Sequence, residues 1–196
     1  MEETSLRLLD RIRETSDPQW WDRLVTLYAP LLKRWVLSYE VQASDADDIV
    51  QDVLAIMVRD LPKFQHSERT GAFRGWLRAI LVTRIKDFWR SRKYRPMATG
   101  TSSIDEKLNQ LKDEASEASQ VWNREHDRYV LKQLMRLVQS QFEPKTWQAF
   151  YRQALKGHKP ETVAKDLEMS MSGVYTAKYR VLNALRRESE GLIDEF

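Results

Sequence analysis

Apolar residues recur three and four positions apart through most of the chain, with polar residues filling the gaps between them. That period belongs to helices that bury one stripe and leave the rest in water. In "WWDRLVTLYAPLLKRWVLSY" the stripe is Trp21, Leu24, Leu27, Tyr28, Leu31, Leu32, Trp35 and Val36. Pro30 lacks an amide donor and is predicted to kink or divide this helix. In "SDADDIVQDVLAIMVRDL" the stripe is Ile49, Val50, Val53, Leu54, Met57 and Leu61; Ser44 and Asp47 have capping-box spacing, and Pro62 ends the run. The polar loop "KFQHSERTGA" precedes a third helix, predicted over 72–94, with Phe73, Leu77, Leu81, Ile85 and Phe88 along one side. Arg74, Arg78, Val82, Lys86, Trp89, Arg90 and Lys93 lie round towards the other.

The pattern lapses at Pro96. Residues 97–120 have few large apolar side chains and more acid than base, which predicts a flexible polar linker with room for one frayed helix. Periodicity resumes at Val121, and a further helix follows Pro144 and closes near Gly157, where a left-handed cap is favoured. Two closely spaced segments, "PETVAKDLEM" and "SMSGVYTAKYRVLNALRRES", complete the chain. The expected fold is all-α: one small helical domain over 1–96, a linker over 97–120, and a second helical domain over 121–196.

Charge sharpens this picture. The whole chain carries only +3, yet residues 69–95 hold nine basic residues and one acid, Asp87. Such segregation implies an anionic partner for that region. A soluble helix would normally alternate its signs to gain pairs four residues apart, whereas like charges at that spacing repel. Cations mixed with aromatics suit single-stranded nucleic acid, whose phosphates take the charge and whose bases stack. Trp89 either stacks on a base or caps the core. Asp45, Asp47, Asp48 and Asp52 begin the second helix, where its dipole favours carboxylates. Asp48 and Asp52, four apart with Gln51 beside them, exceed what capping needs and offer a face to a basic partner protein.

The last two segments have helix-turn-helix spacing. Val163, Ala164 and Leu167 bury the first helix, Val174, Val181 and Leu185 the second, and Ser170 or Ser172 can cap the latter. Tyr175, Thr176, Tyr179 and Arg180 then face outward towards a DNA major groove, and Arg186 and Arg187 can reach phosphates. Glu168 stands where such turns often carry glycine, so a non-glycine residue must accept an unfavourable backbone angle.

Other classes find little support. There is no cysteine, hence no disulfide and no thiolate metal site. His66, His126 and His158 lack ligand spacing, and neither a P-loop nor a dinucleotide fingerprint occurs. No catalytic residue, metal or cofactor is expected. The charged start "MEETSLRLLDRIRE" is unlike a signal peptide, and no apolar run is long enough to span a membrane, so a cytoplasmic protein is expected.

Taken in order, "DADDIVQDVLAIMVRDLPKF", a loop, "AFRGWLRAILVTRIKDFWRSRKYR", an acidic linker and "VAKDLEMSMSGVYTAKYRVLNALR" resemble the bacterial sigma-70 family, in its small extracytoplasmic-function (ECF) subgroup. The resemblance implies a sigma factor that binds core RNA polymerase, directs it to promoters and helps open the DNA. It implies polymerase docking by Asp48, Gln51 and Asp52. It implies recognition of the minus-ten element by Phe64, Phe73, Trp76, Arg84, Lys86, Trp89 and Arg90, and of the minus-thirty-five element by Ser172, Tyr175, Thr176, Tyr179 and Arg180. An anti-sigma factor is a further candidate partner. Thr83, Ala79, Tyr175 and Lys178 depart from residues frequent at the matching family positions, so no particular promoter sequence is implied. A stand-alone regulator binding duplex operators is the alternative reading.

Overall fold

In the computed structural model of the chain the described residues are 18–64, 71–93, 101–189 and 192–193, and every regular element among them is helical. They divide into two compact units, one running to Val130 with 192–193, the other covering 131–189. Among the described residues no helix is long and apolar enough to cross a membrane.

The first unit begins with α1 (Pro18–Leu37) and α2 (Ala43–Asp60), followed by a 3-10 turn (Leu61–Lys63) and α3 (Ala72–Lys93). The predicted stripes meet in one core: Tyr28, Leu31, Leu32 and Val36 of α1, Val53 and Met57 of α2, and Phe73, Leu77, Leu81 and Ile85 of α3 are nearly or fully buried. Burying each such side chain contributes about 1.5–3 kcal/mol. Pro30 does not divide α1, which runs unbroken across it, and the residue lies on the exposed side of the helix.

The predicted capping box does not form. Because α2 already begins at Ala43, the cap position is Gln42, without a side-chain bond, and Ser44 falls inside the first turn. Asp47 instead pairs with Lys33 at 2.7 Å. Gly71 precedes α3 at φ 78, a backbone angle that favours glycine, and an added Cβ would lie 2.6 Å from the Arg74 guanidinium.

The largest difference from expectation is the stretch read as a linker. Residues 101–112 form α4 (Thr101–Lys112), which packs against α3. Its three large apolar residues, Ile104, Leu108 and Leu111, stand four and three apart and are all at most 2% exposed. Few apolar residues suffice when they share one face. Ser116 then accepts a bond from the Ser119 amide at 3.1 Å and caps α5 (Glu117–Gln139), whose first half belongs to the first unit through Trp122, His126 and Val130. The division between units therefore falls inside α5, beyond the expected boundary at 120.

The second unit holds the remainder of α5, α6 (Pro144–Phe150) continued by a π turn (Tyr151–Leu155), α7 (Pro160–Asp166) and α8 (Met171–Ser189). Ala149, Val163, Ala164, Val174 and Ala177 form its buried cluster, with Leu167 and Met169 packed against it. Small Ala164 at the crossing lets α7 and α8 approach. Of the two candidate caps, Ser170 is used: its Oγ accepts from the Gly173 amide at 3.0 Å, and Ser172 only bonds Ser170. Glu168 adopts φ 49, as its place in the turn predicts, and Gly157 adopts φ 67.

Candidate nucleic-acid interface

The cations of α3 do not form an open basic face, because each described one has an internal partner. Arg74 is buried and pairs with Asp127 of α5. Arg78, only 5% exposed at its side chain, reaches Glu114 at 3.5 Å and donates to Asn123 Oδ1 at 3.3 Å. Lys86 donates to Asn109 Oδ1 of α4 at 2.6 Å. Arg84 pairs with Asp87 at 2.6 Å, and Arg90 reaches the same carboxylate at 3.5 Å. Arg92 pairs with Asp45 at 2.7 Å and lies 4.6 Å above the Phe88 ring. Burial pushes the pKa of Arg78 down, and the Glu114 carboxylate opposes that shift.

Beneath these pairs runs a buried polar chain that the sequence patterns did not disclose. Tyr28 hydroxyl lies 3.2 Å from His126 Nε2, and His126 Nδ1 lies 2.9 Å from Asp127. With Nδ1–H donating to the carboxylate, a neutral imidazole leaves Nε2 to accept the Tyr28 proton. Burial pushes the Tyr28 phenol well above its ordinary range, with the Asp127 charge adding to the effect. Burial also opposes ionisation of Asp127, yet hydrogen bonds from His126 and Arg74 prevail and hold its carboxyl below the usual range. This chain joins α1, α3 and α5.

The predicted minus-ten residues separate into three kinds. Phe73 is fully buried, which corrects its assignment as a DNA contact: in the core it has no surface to offer. Phe64 and Trp76 are half-buried neighbours with ring centres 4.9 Å apart, and residues 65–70 between them lie outside the described residues. Trp89 is also half-buried; its Nε1 donates to the Tyr39 carbonyl at 3.2 Å and its ring meets Phe88 edge-on at 5.3 Å. Of the two uses weighed for Trp89, the structure has the indole tied to the loop after α1, which consumes its only donor. Arg84, Lys86 and Arg90 keep partly or fully exposed heads within the pairs described above.

Asp48, Gln51 and Asp52 are exposed along α2. Asp48 and Asp52, with Asp45, line one wall of a cleft of about 260 Å³ whose other wall is Arg84, Asp87, Phe88 and Ser91 of α3.

In the second unit, α8 presents Tyr175 and Tyr179 at 52% and 65% exposure, with Ser172, Thr176 and Arg180 exposed beside them. The Arg180 guanidinium lies 5.8 Å over the Phe142 ring. The strained turn before α8 is held by Lys145, whose Nζ donates to the Glu168 carbonyl at 3.1 Å, and by the Met169 amide on the Ala164 carbonyl at 2.9 Å.

The family model for Sigma-70 region 2 matches residues 24–95, the stretch that holds most of α1 and all of α2 and α3. A search of curated proteins finds no match. Among solved structures, one titled "1.8 A structure of RsbN-BldN complex" is similar at 16% identity and a TM-score of 0.32, covering 91% of this chain and 97% of that one. Residues 24–95 are thus similar to Sigma-70 region 2.

Proposed function

We propose that the chain is an ECF-type sigma factor, which binds core RNA polymerase in the cytoplasm, brings it to promoters and helps to open them. The observation that carries this reading is the region 2 match over α1, α2 and α3, followed in the same chain by a helix pair whose second member exposes aromatic and basic side chains. Asp48, Gln51 and Asp52 supply the acidic docking face for polymerase. Phe64, Trp76, Arg84, Lys86, Trp89 and Arg90 surround the minus-ten strand, with Phe73 supporting Phe64 and Trp76 from the core. The α7–α8 pair is a DNA-binding helix-turn-helix, in which Ser172, Tyr175, Thr176, Tyr179 and Arg180 read the minus-thirty-five duplex. An anti-sigma factor is a further partner of this reading.

Mixing the full chain with bacterial core polymerase tests it. A stable complex that initiates transcription at defined promoters is expected, and charge reversal at Asp48 and Asp52 should weaken that complex without unfolding the chain. No complex, together with tight duplex binding by the free chain, would replace this reading with that of a stand-alone operator-binding regulator.

A further inference from the structure

Three residues along one side of α3, Gly75, Arg78 and Lys86, face the segment that follows the helix. Lys86 meets Asn109 at 2.6 Å, Arg78 meets Glu114 at 3.5 Å, and a Cβ on Gly75 would lie 3.8 Å from the same Glu114 carboxylate. Rising numbers on α3 against falling numbers on α4 place the two helices antiparallel. Val82, 2% exposed, lies on the stripe between these contacts. We propose that α4 and the acidic turn after it are an autoinhibitory cover, which ties down Lys86 of the strand-binding set together with the neighbouring Arg78, and must lift before single-stranded DNA can bind α3. This rests on the reading of α3 as a strand-binding helix.

The chemistry of the contact favours a removable cover over a permanent layer. Asp113 and Glu114 place carboxylates by Arg78, the position a phosphate would take, and both raise its affinity for a proton against the effect of burial. The pairing is unequal: Arg78 is 5% exposed at its side chain, whereas Glu114 is 85% exposed. A solvated carboxylate gives a buried guanidinium little compensation. Among the described residues the partner of Lys86 is a neutral amide, that of Asn109. A polyanion offers both cations stronger acceptors than the cover does. The cover is held by three large apolar side chains, Ile104, Leu108 and Leu111, by the exposed Lys107–Glu40 pair at 3.5 Å and by the Ser119 hydroxyl donating to the Leu111 carbonyl at 2.7 Å, and its outer face carries no apolar stripe. A short element opens at less cost than a whole domain.

The chain lacks cysteine, so Gly75→Cys with Glu114→Cys introduces the sole pair of thiols, at positions that the proposed DNA contacts do not include. At Gly75 the new Cβ meets nothing closer than ordinary contact. A short bis-thiosulfonate reagent should bridge the pair within one molecule, and dithiothreitol should release it. The probe is a fluorescent single-stranded oligodeoxynucleotide added to the full chain. The bridged form is expected to bind it about tenfold more weakly than the same protein after reduction, as a shifted open–closed equilibrium requires. Leu108→Ser with Leu111→Ser, which loosens the cover without touching α3, should bind more tightly than the unaltered chain. Equal binding before and after reduction, including none in either, overturns the cover, as does failure of the bridge to form. Core polymerase is titrated in parallel: loss of polymerase binding by the unbridged chain counts against the initiation-factor reading, whereas retained polymerase binding with unchanged strand binding counts against the cover alone.

Discussion

The two basic helices of this chain, α3 and α8, reverse the ranking that their compositions suggest. Helix α3 carries the denser charge, yet Arg74, Arg78, Arg84, Lys86, Arg90 and Arg92 all have partners within the first unit. Helix α8 is less charged but exposes Tyr175 and Tyr179, with Arg180, Arg186 and Arg187 also open to solvent. Charge density in a sequence counts cations; an available surface depends on what has already claimed them. Substitutions in and around α3 should therefore register first as lost stability, and substitutions on the outer side of α8 as lost binding.

The largest expected effect is that of Phe73→Ala. Its ring is fully buried between Tyr28, Phe64 and Trp76, so truncation should cost about 3–5 kcal/mol in chemical denaturation. Unchanged stability with lost DNA binding would return Phe73 to the interface and break the comparison. Next comes Asp127→Ala, which removes the carboxylate shared by Arg74 and His126 and should cost about 3 kcal/mol. The same group gives a pH signature. Its folded pKa is depressed, so its contribution is complete above the ordinary carboxylate value near 4 and is lost as pH falls through the folded value. Stability of the unaltered chain should fall over that acid window more steeply than that of Asp127→Asn. Parallel curves would mean that Asp127 is not held as an ion.

On α8 the expectation inverts. Tyr175→Ala with Tyr179→Ala should leave stability within about 0.5 kcal/mol, because both rings are more than half exposed. Binding to a duplex carrying the cognate minus-thirty-five element should weaken roughly tenfold, or about 1.4 kcal/mol. A large loss of stability here, with binding intact, would make the two helices alike.

How much of this was legible in the sequence follows from the same contrast. The stripes of α1, α2 and α3 and the burial of Val163, Val174 and Val181 were legible because each is a property of one helix and its period. The cover over α3 was not, because periodicity assigns faces to a helix without counting its neighbours. Val82 was the sign of a second packed face, and Ile104, Leu108 and Leu111 had the spacing to fill it. Their low number read as linker composition, since composition averages over a segment and burial does not. The Tyr28–His126–Asp127–Arg74 chain was hidden for a different reason: polar residues nearly a hundred positions apart carry no periodic mark of meeting. The exposed side of α8 was the most readable part of the candidate site, because Tyr175 and Tyr179 stand open among the described residues.

The smallest effect bears on how α8 is aimed. Glu168 is the residue that turns the chain between α7 and α8, and it does so at φ 49 with a full side chain. A left-handed backbone costs an ordinary L-residue about 1–2 kcal/mol, which Glu168→Gly would relieve. Glycine brings its own unfolded-state entropy, about 0.5–1 kcal/mol, so the net gain should be near 0.5 kcal/mol. Lys145 would keep its hold, because it bonds the backbone carbonyl of residue 168 and not the carboxylate. Glu168→Ala is the control: it removes the carboxylate, keeps the strained angle, and should leave stability near that of the unaltered chain. If Gly and Ala prove equally stabilising, the cost lay in the exposed charge and not in the turn. If Gly stabilises and duplex binding stays the same, the aim of α8 is set by the packing of Ala164, Val174 and Ala177 beneath it, and the strain is tolerated because that packing over-determines the turn.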